Sequence, residues 1–590
     1  MAQNEMICEL SKGLLKWYDF KKNSRVLYLT DRNDFLKSIF MDKNMETVCI
    51  NSGEITQAFM DENRQDFDYI VAIGVLERCR LPQKDIERWQ CLLKGDGILL
   101  IGADNRLGLR YFCGDKDKYT DRVFDGIENY RRMSPSERDN LEGRMYTKAE
   151  IKNLLCNSGI NGFKFYSVLP DLDFPQLIYA HDYNPVEELA TRYVPAYNNP
   201  GTVFIDEEFI YGDLIENGLF HAMANSYLIE CPMNSNYSSV QHVTATMDRG
   251  RDNAMFTLVC DNNRVEKRAA YPEGMIKLRQ MIEHDSDLRA HGLNVVDAVL
   301  EDGAIVMPYI DAEIATTYFV RLVKMNKECL IKEIDRFRDL ILQSSEHSCE
   351  DLNDGMGVIL KRGYLDLVPL NCFVINGEYV FYDQEFCQED CPANLIIYRM
   401  LVIAYSADSD MNKMLPMEFF LRRYGLDRYL DLWRRKAAEF INNLRHQNEL
   451  GRFYEQYRAD SETIKRNRQR MDYSNAEYQK IFFDIFNGLR DKKLIVFGMG
   501  TFAKKFIKTY RYDYPIYAVV DNNSEKWGQN FAGIPVLSPS ELMELGVEEC
   551  KVIICIKNYD RVMKQLRDMG VKDIGVYDVS ISYNRPDVGV

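Results

Sequence analysis

The stretch Tyr364-Leu365-Asp366-Leu367-Val368-Pro369-Leu370-Asn371, followed by Val380-Phe381-Tyr382-Asp383-Gln384-Glu385, carries the most information in this chain. An aspartate and an asparagine five positions apart sit in a loop, and an apolar run then delivers a second acid. Such spacing suits one proton acceptor and two metal-binding groups arranged around a nucleoside triphosphate. Between them, Cys372-Phe373-Val374-Ile375, a turn at Asn376-Gly377 and a second run from Tyr379 to Tyr382 read as a β-hairpin. The hairpin folds Asp383 back beside Asn371.

Composition bounds the rest. A chain of 590 residues exceeds one hydrophobic core and is expected to divide into about three or four domains. Hydrophobic residues at 46% and charged residues at 28% are those of a globular protein. A formal charge of −16 argues against a nucleic-acid partner. The fifteen cysteines are scattered without a CxxC pair; Cys387 and Cys391 are the closest, and no histidine cluster accompanies them, so no zinc site is expected. Scattered thiols, a start without a basic, apolar leader, and no apolar run near the ~20 residues of a membrane span predict a cytoplasmic protein. Peripheral contact with a membrane surface stays open.

Val26-Leu27-Tyr28-Leu29, Thr47-Val48-Cys49-Ile50, Tyr69 to Ile73 and Ile98 to Ile101 read as strands of a parallel α/β sheet within residues 1–185. Pro185, Pro195 and Pro200 interrupt an acidic, polar stretch and suggest a boundary at 182–200. From Gln241 the pattern turns antiparallel, with short strands at His242–Met247, Met255–Cys260 and Arg264–Ala270, opening a second domain over 200–415. Residues 416–490, dense in Arg, Glu, Tyr and Leu, read as a helical spacer with a capacity for oligomer contacts. Strand–helix alternation returns over 491–590.

Lys267, on the third short strand, sits where a phosphate-binding lysine belongs, and Glu283 on the following helix is a candidate partner for it. Val306-Met307-Pro308-Tyr309-Ile310 suits a strand behind an adenine, and the tip Asp248-Arg249-Gly250-Arg251-Asp252 suits a cover for phosphates. Each also has an ordinary reading: Lys267 as a solvated strand lysine, Glu283 as a surface helix residue, the DxxxxN spacing as coincidence. The order of the parts resembles the kinase-like phosphotransferase families, which include aminoglycoside and choline kinases. The resemblance implies Asp366 as catalytic base, Asn371 and Asp383 as magnesium ligands, Lys267 as phosphate clamp, and ATP with Mg2+ as cofactors. Two positions depart from the pattern: Tyr364 stands where a histidine usually precedes the catalytic aspartate, and Gln384 replaces Phe in the metal-binding triplet.

Phe67-Asp68-Tyr69-Ile70-Val71-Ala72-Ile73-Gly74-Val75-Leu76-Glu77 and Leu93-Lys94-Gly95-Asp96-Gly97-Ile98-Leu99-Leu100-Ile101 resemble elements of class I S-adenosylmethionine methyltransferases. With Asp104 to Phe112 and Phe124 to Tyr130, they look like a bacterial group in which a methyltransferase domain precedes a kinase-like one. Yet the first strand runs into Leu29-Thr30-Asp31-Arg32-Asn33-Asp34-Phe35, a loop without the glycines that close cofactor approach requires, and Asn51 stands in place of the ribose-binding acid. The expectation is a degenerate methyltransferase, with S-adenosylmethionine left open as a ligand.

Val496-Phe497-Gly498-Met499-Gly500-Thr501-Phe502-Ala503 is a GxGxxA turn after a strand and opening a helix, and Asp521 ends the next strand. Asp521 to Gly528 and Gly533-Ile534-Pro535-Val536 resemble small Rossmann-like domains appended to bacterial polysaccharide-biosynthesis enzymes, which implies a nucleotide or sugar nucleotide at Gly498, Gly500 and Asp521.

The combined fold class expected is multidomain α/β and α+β: a Rossmann-like methyltransferase fold, a protein-kinase-like fold, a helical spacer and a C-terminal Rossmann-like domain. The pairing resembles enzymes that cap O-antigen chains by phosphorylation and methylation. It implies a Mg-ATP-dependent phosphotransferase acting on a glycan or small-molecule hydroxyl in bacterial surface-polysaccharide biosynthesis. The alternatives are a methyltransferase of the same pathway and a non-catalytic scaffold.

Overall fold

The computed structural model describes residues 3–30, 34–185, 189, 192–349, 357–408, 410–445, 453–489, 491–581 and 583. The chain forms two compact units, residues 1–460 and 461–590.

The first unit is built on a twelve-stranded sheet. One end is parallel, in the order Glu46–Ile50, Arg25–Leu29, Phe67–Ile73, Leu93–Asp104. Aliphatic residues run continuously along these strands because both faces are covered. Side chains alternate between two cores: Val26, Tyr28, Tyr69, Val71 and Leu100 enter one, while Leu27, Leu29, Ile70, Ala72, Leu99 and Ile101 enter the other.

The expected break at 182–200 does not divide this sheet. Ser226–Pro232, beyond the break, inserts antiparallel between Leu93–Asp104 and Lys164–Leu169. All seven of its residues are buried, with Tyr227, Ile229 and Cys231 in one core and Leu228 in the other. Leu177–Ala180 follows, and the meander Val240–Ala245, Met255–Cys260, Arg264–Ala269, Ala304–Pro308, Val299–Glu301 continues the same sheet. Main-chain pairing therefore runs unbroken from the strands before residue 182 to those after residue 200.

Helix Met275–Ala290 lies against the meander, where Leu278 and Met281 meet Met255 and Ile305. Beyond it, helices Ala315–Met325, Lys327–Gln343 and Ala393–Ser406 enclose a separate helical core. The hairpin forms over Cys372–Ile375 and Glu378–Phe381, with Cys372 opposite Phe381. Residues 416–490, expected as one spacer, are divided between the units. Helices Met417–Arg423 and Leu430–Arg445 belong to the first, where Phe420, Leu421 and Trp433 fill the helical core; Ser461–Asp472 and Asn475–Phe482 belong to the second.

The second unit has six strands, ordered Asn530–Phe531, Ile534–Leu537, Ile516–Val520, Lys493–Phe497, Cys550–Ile554, Ile574–Val576. The last five are mutually parallel. Leu494 and Val496 face one core, Ile495 and Phe497 the other. Among the described residues, no helix is long and apolar enough to cross a membrane.

The inserted strand gives a stability test. Ile229→Ala removes a fully buried side chain and is expected to cost the first unit about 2–5 kcal/mol, measured by urea denaturation.

Candidate functional site

Strand Arg264–Ala269 is flanked on both sides, so Lys267 sits opposite Thr257 on one neighbour and Ile305 on the other. Its side chain is 3% exposed, and its ammonium pairs with both Asp383 and Glu385. Lys267 is thus no solvated strand lysine. Burial works against its charge, but the two carboxylates outweigh burial and raise its pKa.

The hairpin brings the acids there. The Tyr382 N–H donates to the Asn371 carbonyl at 3.0 Å, closing the loop so that Asp383 follows beside Asn371. Asp383 takes φ +60°, a left-handed backbone that aspartate tolerates better than most residues. The Asn371 amide and the Gln384 amide both donate to the Asp366 carbonyl, at 3.4 and 3.1 Å. The Asp366 carboxylate accepts the Phe386 N–H at 3.1 Å, with an Arg399 nitrogen 3.8 Å away. Burial, then the charges of Glu385 and Asp383, push the Asp366 carboxyl up to about 7 against the pull of Arg399 and Arg249.

Glu283 does not take the expected place. It is exposed, because the buried face of Met275–Ala290 carries Leu278, Met281, His284, Asp285 and Leu288. The acid that faces Lys267 and Asp383 is Asp285, which burial pushes up to about 7, with Asp383 acting in the same sense against Arg289 and Lys267. Helical spacing from Leu278 through Met281 and Asp285 to Leu288 marks that face, and phasing the helix on its apolar positions identifies Asp285.

The two departing positions have structural partners. The Tyr364 hydroxyl donates to Asp287, and its ring meets His284 edge-on at 5.4 Å. His284 Nδ1 lies 2.9 Å from the Gln384 carbonyl, so this nitrogen carries the proton; burial holds the imidazole pKa below its ordinary value. Gln384 is buried, and its amide also donates to the Tyr382 carbonyl at 2.8 Å.

From the meander, the turn Met247–Arg249 sends Arg249 to Glu385, Nη1 to Oε2 at 2.9 Å. Burial disfavours the Glu385 carboxylate, but Lys267 and Arg249 overcome it and hold its pKa below the ordinary value. The cleft therefore joins Asp285, Asp366, Asp383 and Glu385 with Lys267, Arg249, Lys277 and Arg399. Asp285 Oδ1, Gln384 Oε1 and Arg249 Nε are buried there without hydrogen-bond partners. Among the described residues, no group of three or more His, Cys, Asp or Glu side chains is arranged to hold a metal ion.

At the carboxyl ends of the parallel strands lies a cavity of about 390 Å³ lined in part by Phe35, Arg78, Arg110, Asp171, Asp173 and Tyr197. Arg110 is buried in its floor, donating to Asp115 at 2.8 Å and Asp171 at 2.7 Å. Of the glycine-free loop, Asp31, Arg32 and Asn33 lie outside the described residues. Asn51 caps the turn Ser52–Glu54, and the Glu54 carboxylate accepts the Asn51 N–H at 3.1 Å.

In the second unit, Gly498, Gly500 and Asp521 converge. Gly498 has φ +110°, and a Cβ there would lie 2.6 Å from Ile556 Cγ2, so glycine is required. Helix Thr501–Tyr510 begins after Gly500. The Asp521 carboxylate accepts the Met499 N–H at 3.0 Å, Lys526 Nζ at 3.0 Å and the Asn523 N–H at 2.9 Å.

A family model described as C2185-like, N-terminal, matches residues 490–576, a span that contains this glycine turn and Asp521. No curated protein matches the chain. Solved structures similar to it include a SAM-dependent methyltransferase of Thermotoga maritima, at 10% identity over 39% of this chain and 91% of that one, TM-score 0.22. A second is a SAM-dependent methyltransferase of Archaeoglobus fulgidus, at 13% identity over 39% and 94%, TM-score 0.24. A third is a chain crystallised with a methyltransferase activator of Haloferax volcanii, at 9% identity over 39% and 92%, TM-score 0.23.

The lysine cluster yields a stability test. Lys267→Met strips Asp383 and Glu385 of a buried partner and is expected to destabilise the first unit by about 3–5 kcal/mol. Adding Glu385→Gln removes one stranded charge and is expected to restore part of the loss, both read by chemical denaturation.

Proposed function

We propose that the first unit is a Mg-ATP-dependent, kinase-like phosphotransferase acting on a hydroxyl of a glycan or small molecule. The observation that carries this reading is the convergence of Lys267, Asp383, Asn371 and Asp366 from separate segments into one cleft. In it, Lys267 on the third meander strand receives nucleotide phosphates, and Asp285 replaces Glu283 as the acid of the following helix. Asp366 accepts the proton of the attacking hydroxyl, and its raised pKa suits a base working near neutrality.

A magnesium ion fits the donor set: the Asp383 carboxylate is 33% exposed, and Asn371, whose amide nitrogen is turned to Asp366, keeps its side-chain oxygen as a second hard ligand. When bound, the ion supplies charge neutralisation on the phosphates. The setting in bacterial surface-polysaccharide biosynthesis is proposed from the sequence resemblance. We also propose that the second unit binds a nucleotide or sugar nucleotide at Gly498, Gly500 and Asp521. A second reading, methyl transfer from S-adenosylmethionine, is favoured by the cavity at the carboxyl ends of the parallel strands, the usual ligand position in such sheets. Calorimetry with S-adenosylmethionine tests it, and micromolar binding is the supporting result.

Asp366→Asn is expected to lower ADP release from Mg-ATP by about 10²–10⁴-fold while leaving ATP affinity nearly unchanged. Unchanged turnover overturns the assignment. The pH dependence has a definite sign. Below about 7 Asp366 holds a proton and cannot accept another, so kcat/KM should rise about tenfold per pH unit up to that point and level above it.

A further inference from the structure

We propose that Arg249 is a side-chain ligand for the terminal phosphates of the nucleotide, with Glu385 as its resting counter-ion. The inference rests on the phosphotransferase reading of the cleft. A glycine-rich turn normally grips phosphates through its backbone, but this turn has one glycine, Gly250, and its two ends are tied down. Thr246 exchanges hydrogen bonds with Met255: its N–H donates to the Met255 carbonyl at 2.9 Å and its Oγ1 accepts the Met255 N–H at 3.0 Å. The Ala254 N–H donates to the Gly250 carbonyl at 2.8 Å, and Met247 is buried in the core shared with Leu14 and Trp17. The anchoring fixes where the turn presents the Arg249 side chain.

Arg249 is the side chain that reaches them. Its guanidinium touches the Glu385 carboxylate that Lys267 also holds, which places it beside the phosphate-binding lysine. A guanidinium has five N–H donors in a rigid fork; Glu385 takes one at 2.9 Å, and Nε is buried with none satisfied. A phosphate group satisfies such a fork with two parallel bonds. Neighbouring Arg251 is already engaged: it pairs with Glu273 at 2.8 Å and lies over the Tyr271 ring at 4.0 Å. The site also stays in charge register. Lys267 and Arg249 balance Asp383 and Glu385 at rest, and a polyphosphate supplies the anions that let both cations turn toward it.

The test is calorimetry of the full chain with Mg-ATP and, separately, adenosine, which lacks phosphates. Arg249→Met is expected to weaken ATP binding at least tenfold and to change adenosine binding less than twofold. Arg249→Lys, which keeps the charge and loses the fork, should fall between, and Arg251→Met should match the unsubstituted chain. Glu385 keeps Lys267 as a partner in Arg249→Met, and a thermal melt of each variant checks that it is folded. Arg249→Met and Arg249→Lys both binding ATP within twofold of the unsubstituted chain overturns the proposal, as does an equal loss of ATP and adenosine binding. An unsubstituted chain that binds adenosine and not ATP overturns the phosphotransferase reading itself, a distinct outcome.

Discussion

The buried ammonium of Lys267, held between Asp383 and Glu385, is the contact on which the arrangement of the first unit's cleft depends. It joins a strand of the meander to the segment that leaves the hairpin, two parts more than a hundred residues apart in sequence. Taking three charges out of water is expensive, and a buried ion pair adds little net stability over well-packed apolar residues. What it supplies is definition. The ion pairs tie Asp383 and Glu385 to the meander strand, while the Tyr382 N–H on the Asn371 carbonyl and the Asn371 amide on the Asp366 carbonyl hold the rest of the loop to the same place. Arg249, Asp285 and Lys277 extend the balance, so each charged group is defined by its neighbours.

The continuous sheet gives the cleft its foundation. Strand Ser226–Pro232 is buried on both faces and locked between two antiparallel neighbours, and the meander that carries Lys267 grows from the same hydrogen-bonded plane. A sheet that continues in this way leaves only its two outermost strands unpaired on one side, which limits the edges open to association. At the meander end, the outermost strand Val299–Glu301 is three residues long and exposed, a form of edge that resists further pairing.

Much of this was legible in the sequence where the signal is local. Asp366, Asn371 and Asp383 declared themselves through spacing and an Asn-Gly turn, and Lys267 through its position on the third short strand. Gly498, Gly500 and Asp521 did so through a strand–turn–helix context. Less local information was lost. Glu283 was the obvious acid by charge alone, whereas the phase of its helix, set by Leu278, Met281 and Leu288, turns Asp285 inward. Ser226–Pro232 lacks the polar alternation of a surface strand, and prolines at 185, 195 and 200 suggested a boundary that the sheet crosses. The helices after residue 416 read as a spacer because amphipathic periodicity does not say which core receives the apolar face; Phe420, Leu421 and Trp433 face inward within their own unit.

The distribution of indole rings has a practical side. The chain has four tryptophans, and Trp17, Trp89 and Trp433 are each buried within the first unit. Trp527 alone belongs to the second; it is partly exposed, and its Nε1–H donates to the Asp521 carbonyl at 2.8 Å. The Asp521 carboxylate itself is held by Lys526 and the Met499 N–H. Residues 461–590 thus carry a single indole, hydrogen-bonded to the main chain of the acid at the mouth of the glycine turn, so its fluorescence reports on that turn without a label.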